Sequence, residues 1–158
     1  MASFFPLISE ILPMILPATA HVVRAKELEP ENPSVDGPVT VWPAVVGKCD
    51  KMSTTVMTIR PRSKTPVRHN SEQDAIMYTV SGTGTLIVNE GFDAELRSHD
   101  ISPGDFAYVP AWTEHQMVNS QDVELVCVVV HGGPRPVGAI LADWGGDEVA
   151  PASQAQKS

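Results

Sequence analysis

The chain has 158 residues, enough for one domain of about 100–150 residues with an extension, so a second catalytic domain is excluded. Its 42% apolar and 19% charged residues match a soluble folded domain and exclude disorder along the whole chain. Eleven Lys and Arg against nineteen Asp and Glu leave a net charge of −8, which repels phosphate backbones and anionic lipid, so neither nucleic acid nor a membrane is expected as a partner.

The N-terminal stretch from Phe4 to Ala20 is apolar. It lacks a basic leader, carries Glu10 and is interrupted by Pro6, Pro13 and Pro17, so neither a cleaved signal nor a spanning helix is expected. It reads as an arm packed on the domain or on a second subunit, because Phe4, Phe5 and the run Ile11 to Leu16 would otherwise form an exposed apolar patch. A homodimer is the expected assembly. Glu27 to Pro38 follows as an acidic, Pro-rich link, which places the arm and link at 1–38, a β domain at 39–146 and a flexible tail at 147–158.

Within the domain, β-branched runs alternate with turn signals. Strands are expected at Val39–Val46, Thr54–Ile59, Ala75–Val80, Thr85–Val88, Phe106–Val109, His115–Val118 and Val123–Val130. Ser81-Gly82-Thr83-Gly84 supplies positive φ between two of them, and Ser102-Pro103-Gly104-Asp105 is a type I or II turn. Fourteen Pro and eleven Gly disfavour long helices. The run Leu125 to Val130 is apolar at every position, as in a strand buried between two layers. The pattern is that of an all-β sandwich or barrel. Cys49 and Cys127 are far apart, with no CxxC and no Cys/His spacing, so a reducing, cytoplasmic setting is expected. Cys127, inside an apolar strand, is expected to be buried and inert.

The chemistry concentrates in Gly104-Asp-Phe-Ala-Tyr-Val-Pro110-Ala-Trp-Thr-Glu-His115-Gln-Met-Val-Asn119. A Gly turn, a strand, a Pro-led turn and a second strand opening on His would set that imidazole at a barrel mouth. This segment resembles the second motif of the cupin superfamily, G-x5-P-x-G-x2-H-x3-N, at Gly104, Pro110, His115 and Asn119, with Trp112 in place of the second Gly. Upstream, Arg68-His69-Asn70-Ser71-Glu72-Gln73-Asp74 with Gly82 resembles the first motif, G-x5-H-x-H-x3/4-E-x6-G, in a degraded form. In one frame its ligand positions are Arg68, Asn70 and Asp74; in the other they are His69, Ser71 and Ala75.

The resemblance implies a double-stranded β-helix, the cupin jelly-roll barrel, with its site inside. It also implies a single divalent transition metal, Fe, Mn, Ni, Zn or Cu, for which His69, Asp74 and His115 are the available ligands. A metal-free alternative stays open, in which His115 and Asp74 do acid/base work and Arg68 holds an enolate or carboxylate. His131 ends its strand and shares parity with Cys127 and Val129, so it could project into the cavity, whereas strand ends usually exit to solvent. Tyr78, Trp112, Gln116 and Met117, with Ile76, Val80, Phe106 and Tyr108, are expected to line it and to suit an aromatic or polyketide-like metabolite. His21 and His99 read as surface residues. What the resemblance implies in function is a small tailoring enzyme of secondary metabolism acting as decarboxylase, oxygenase or cyclase/isomerase; a ligand-binding or structural cupin without catalysis is the alternative. No G-x-S-x-G elbow, P-loop, dinucleotide fingerprint or HExxH occurs.

Overall fold

Alternating inward apolar and outward polar or β-branched side chains favour two packed antiparallel sheets, and a computed structural model shows that arrangement over the residues it describes, 19–28, 37–90 and 95–151. Most of the expected N-terminal arm lies outside the described residues. After a short 3-10 turn at Ala25–Leu28, the strands are β1 (Val39–Val45), β2 (Ser53–Ile59), β3 (Ser63–Lys64), β4 (Arg68–Asn70), β5 (Ala75–Ser81) and β6 (Gly84–Asn89). They continue with β7 (Leu96–Ile101), β8 (Phe106–Val109), β9 (Glu114–Asn119), β10 (Leu125–His131), β11 (Gly138–Leu141) and β12 (Glu148–Pro151). The tail expected from 147 onward thus contributes one more strand, β12, paired with β11.

The first sheet has the order β1-β2-β10-β5-β8, and the second runs β12-β11-β4-β9-β6-β7 with β3 added against β9. Pro43 sits in β1, an edge strand with a register shift between Pro43 and Val45, where a residue lacking an N–H is tolerated. Gly82 adopts φ 77°, and a Cβ there would stand 2.3 Å from the carbonyl oxygen of Glu124, so the β5–β6 turn requires glycine.

The core is filled by one parity of each strand: Met57 and Ile59 from β2, Ala75 and Met77 from β5, Leu86 and Val88 from β6, Met117 from β9, and Leu125, Cys127 and Val129 from β10. Contrary to the expectation for a doubly buried strand, β10 buries only this parity; Val126, Val128 and Val130 are half-buried on the outer face. Burial pushes the Cys127 thiol up to about 11, against the opposing effect of a hydrogen bond with Thr79, so it is inert at neutral pH. The outer face of the first sheet carries an uncharged row in cross-strand register, Trp42, Val56, Val128, Tyr78 and Phe106.

Candidate functional site

Between the sheets, at the end of β10 and the start of β9, lies a cavity of about 30 Å³. Volumes of about 10–15 Å³ already admit a water, so this space takes a group of only a few heavy atoms. Its polar wall is Arg68 and Asn70 from β4, His115 from β9, His131 from β10 and Thr55 from β2. Met57, Met77 and Val129 close its floor, and Val41, Pro136 and Val137 its rim.

Strand geometry decides which residues face inward. Arg68 pairs directly with His115 across β4 and β9, and directly opposed residues project to the same side of a sheet. Asn70 returns to that side two residues later. His69 therefore points to the outer face. There its ring packs on Trp112 at a centroid distance of 5.2 Å, its Nε2 lies 3.3 Å from Glu148 Oε1, and its Nδ1 lies 3.4 Å from Ser71 Oγ. Asp74 is also outside. It is exposed, and its Oδ1 accepts the Ala111 N–H at 2.9 Å, which ties the Pro110–Trp112 turn to the start of β5. His69, Asp74 and His115 are not brought together, so the ligand set expected for a metal is not assembled.

The same parity relocates most of the expected lining. Ile76, Tyr78 and Val80 face outward and are exposed, with Tyr78 against Phe106 at 4.7 Å. Phe106 and Tyr108 belong instead to a wider external cleft of about 330 Å³ between β8 and the β6–β7 pair, which His99 also lines. Met117 is core rather than wall, and Gln116 donates from Nε2 to the Thr65 carbonyl at 2.9 Å. Trp112 is exposed and takes φ 66° at the position where the second motif carries glycine, its N–H donating to the Asn70 carbonyl at 2.8 Å. The contact with His69 occupies the ring of a residue held in a backbone conformation that costs about 1–3 kcal/mol outside glycine.

Of the two frames for the first motif, the inward pair is Arg68 and Asn70. Read with four residues after Asn70, the motif runs without a gap through Ala75 to Gly82, putting alanine where the carboxylate stands. Ala75 is buried on β5 directly beside His131 of β10. Asn70, a ligand position in only one of the two frames, is a wall residue of the cavity; its place two residues after Arg68 on one strand is the signal for it.

Electrostatically the cavity is one-sided. Burial and the Arg68 charge hold both imidazoles down, His115 to about 4, with His69 and His131 adding to the effect and a bond to Thr113 opposing it, and His131 to about 4. Both are neutral at pH 7. His115 Nδ1 lies 2.9 Å from the Thr113 carbonyl, an acceptor only, so the ring proton sits on Nδ1 and Nε2 keeps its lone pair. Burial lowers Arg68, yet a guanidinium stays protonated in proteins. Its Nη2 approaches Met57 Sδ at 3.0 Å, and no carboxylate is among the described residues that line the cavity. Asn70 Nδ2 and His131 Nδ1 are buried without a hydrogen-bond partner among the described residues.

A transition metal does not suit this donor set. A guanidinium and an amide stand where two imidazoles would, alanine stands where the carboxylate would, and no group of three His, Cys, Asp or Glu among the described residues could hold an ion.

The cupin domain family matches residues 55–131. Similar solved structures include a recombinant oxalate oxidase in complex with glycolate, 18% identical over 71% of this chain and 59% of that one, TM-score 0.59. An oxalate decarboxylase of Lactobacillus farciminis in a formate complex is 19% identical over 73% of this chain and 34% of that one, TM-score 0.62. Peruvianin-I, described as a cysteine peptidase from Thevetia peruviana latex, is 18% identical over 80% of this chain and 82% of that one, TM-score 0.67. The chain thus spans about three fifths of the oxidase and a third of the decarboxylase, and these likenesses establish the fold. Manganese(II) centres are described for the oxalate decarboxylase of Bacillus subtilis. No curated protein matches. No helix among the described residues is long and apolar enough to cross a membrane.

Proposed function

We propose that this chain, whose residues 55–131 are a cupin domain, works without a metal, using His115 as the acid/base group and His131 as a hydrogen-bond donor on a small organic molecule. The observation that carries the reading is Arg68, whose charge stands directly across the strand pair from His115 at a motif position that calls for a ligand histidine. A fixed positive charge there opposes a cation and favours negative charge developing on a substrate, as an enolate does when a carbon acid loses its proton. His115, with its proton on Nδ1, offers Nε2 as the base and returns that proton from the imidazolium it becomes; His131, neutral on the neighbouring wall, donates a hydrogen bond to the developing charge. Isomerisation, cyclisation or decarboxylation through an enolate fits this arrangement. Oxygenation does not follow from these groups alone.

The test has two arms. Protein loaded in turn with Fe(II), Mn(II), Ni(II), Zn(II) and Cu(II) and then desalted is expected to retain no stoichiometric metal; one ion per chain, lost in His115→Ala, would overturn the reading. In chelator, exchange of solvent deuterium into a small carbonyl acid is expected, and is expected to vanish in His115→Gln.

A second copy of the chain is the partner supported best. The outer row Trp42, Val56, Val128, Tyr78 and Phe106 has no charge in it, so the face can lie against its own copy without opposing like charges.

A further inference from the structure

We infer that the cavity is a receptor for the carboxylate head of a small organic acid, bound by Arg68, Asn70 and His131, with the rest of the acid leaving past Val137. The inference rests on the metal-free reading above and names the ligand class of that site.

Four observations converge. The guanidinium of Arg68 faces a cavity with no carboxylate among its described lining residues, and an uncompensated charge inside a protein is costly, so the site is built to have its charge answered by something that enters. Asn70 and His131 are each 8% exposed, line the same cavity, and hold Nδ2 and Nδ1 respectively without partners among the described residues. Buried polar atoms in folded proteins are nearly always bonded, so two orphans and one cation on one small cavity describe the complement of an acceptor. The orphan amide is a donor, and the guanidinium presents a planar fork that matches a carboxylate bidentately. His131 Nε2 lies 3.4 Å from Thr55 Oγ1, whose hydroxyl can donate to it and leave the ring proton on Nδ1, so His131 too presents a donor.

The size agrees. About 30 Å³ takes the three heavy atoms of a carboxylate and not an aromatic ring. Val137 is 52% exposed and marks the mouth. The loop that carries Pro136 and Val137 is held by Gln73, whose Nε2 donates to the Arg135 carbonyl at 2.8 Å and whose Oε1 accepts the Val137 N–H at 3.1 Å. A Cβ on Gly133 would come within 2.1 Å of that Gln73 Nε2, so the loop and its clamp are packed against each other. The titratable groups that face a bound anion are Arg68, His115 and His131, with His69 behind β4. Burial first and the Arg68 charge second hold the imidazoles neutral; a bound anion offsets the second and adds an attraction for the protonated ring, so binding takes up protons and tightens as pH falls from 7 toward 5.

The experiment titrates the full chain with sodium acetate, butanoate and benzoate, and with butanamide, chloride and phosphate, following thermal stability and calorimetric heat in two buffers. The expected result is saturable binding of the carboxylates with proton uptake, none by butanamide, and weaker binding of chloride and phosphate. Arg68→Lys is expected to weaken butanoate by about tenfold or more through loss of the fork, and Asn70→Asp to abolish it by placing a carboxylate beside Arg68 within the chain. If Arg68→Lys does not fold, Asn70→Asp carries the test. No saturable binding of any carboxylate, equal binding of chloride, or unchanged affinity in Asn70→Asp overturns the inference. A carboxylate that binds as described and is recovered without deuterium exchange upholds it while removing the acid/base chemistry. Exchange on a neutral carbonyl compound with no carboxylate binding does the reverse.

Discussion

Arg68 and His115 stand directly opposite each other on β4 and β9, so a permanent cation and a base share one side of the cavity wall. That pairing inverts the electrostatics that the motif around His115 leads one to expect, because the neighbour of the retained histidine repels a metal ion instead of helping to bind it.

The first consequence concerns stability. Removing an uncompensated charge from a half-buried site while keeping its bulk relieves a desolvation cost, so Arg68→Met is expected to raise the unfolding free energy by about 1–4 kcal/mol. Denaturant titration checks this, and a loss of more than about 1 kcal/mol would mean that the guanidinium is satisfied within the folded chain.

The second concerns pH. His115 and His131 are depressed from 6.5 to about 4, so between those values the unfolded chain binds more protons than the folded one. Stability is therefore full above about pH 6.5 and falls as pH drops toward 4, by on the order of 3 kcal/mol for each imidazole at most. Unfolding free energies measured at pH 7, 6 and 5 should decline, and His131→Gln should flatten the slope. A flat profile in the parent protein would contradict the burial of both rings.

A third prediction isolates the backbone at Trp112. With φ at 66°, Trp112→Gly gains from relieved strain what it loses from ring packing on His69, so the net change is expected within about 1 kcal/mol. Trp112→Val puts a β-branched residue in the same conformation and is expected to destabilise by more than about 1 kcal/mol. Equal effects of the two substitutions would show that the strain is not what sets the cost.

Asn119 provides the fourth. Its Nδ2 reaches the carbonyls of Ile59, Arg60 and Val123 at 3.0, 3.1 and 2.9 Å, and its Oδ1 accepts the Gln121 N–H at 3.1 Å, so this motif residue closes the β9–β10 turn onto the end of β2. Asn119→Ala leaves several of these groups unpaired and is expected to cost about 2–4 kcal/mol, read by chemical denaturation. A cost below about 1 kcal/mol would assign the turn to backbone preference alone.

The fifth tests the outer face. Light scattering is expected to give twice the 17.0 kDa of one chain, and Phe106→Glu with Tyr78→Lys, which place charge in the uncharged row, are each expected to shift the protein to monomer. A parent protein that is monomeric at high concentration would leave the face without this partner.

Much of the architecture was legible in the amino acids. β-branched runs between Gly and Pro turns located seven of the strands, because a pleated half-buried surface selects those side chains locally. The parity of Cys127, Val129 and His131 on one strand pointed inward, and it does so in the structure. Ser63–Lys64 and Glu148–Pro151, which carry no β-branched run, are short and are strands because a neighbour pairs with them.

What only the tertiary structure decided is which residues between 68 and 75 look into the cavity. Side chains alternate with period two, so a one-residue change of register exchanges His69 and Ser71 for Arg68 and Asn70, and local sequence is nearly indifferent between the two. The choice comes from long-range pairing of β4 with β9 and β11, which sets Arg68 opposite His115 and turns His69 toward Trp112 and Glu148. The amino acids by themselves determined a β domain of short strands with His115 near the start of one of them; the pairing of distant strands buried that histidine and determined that the charge beside it is positive.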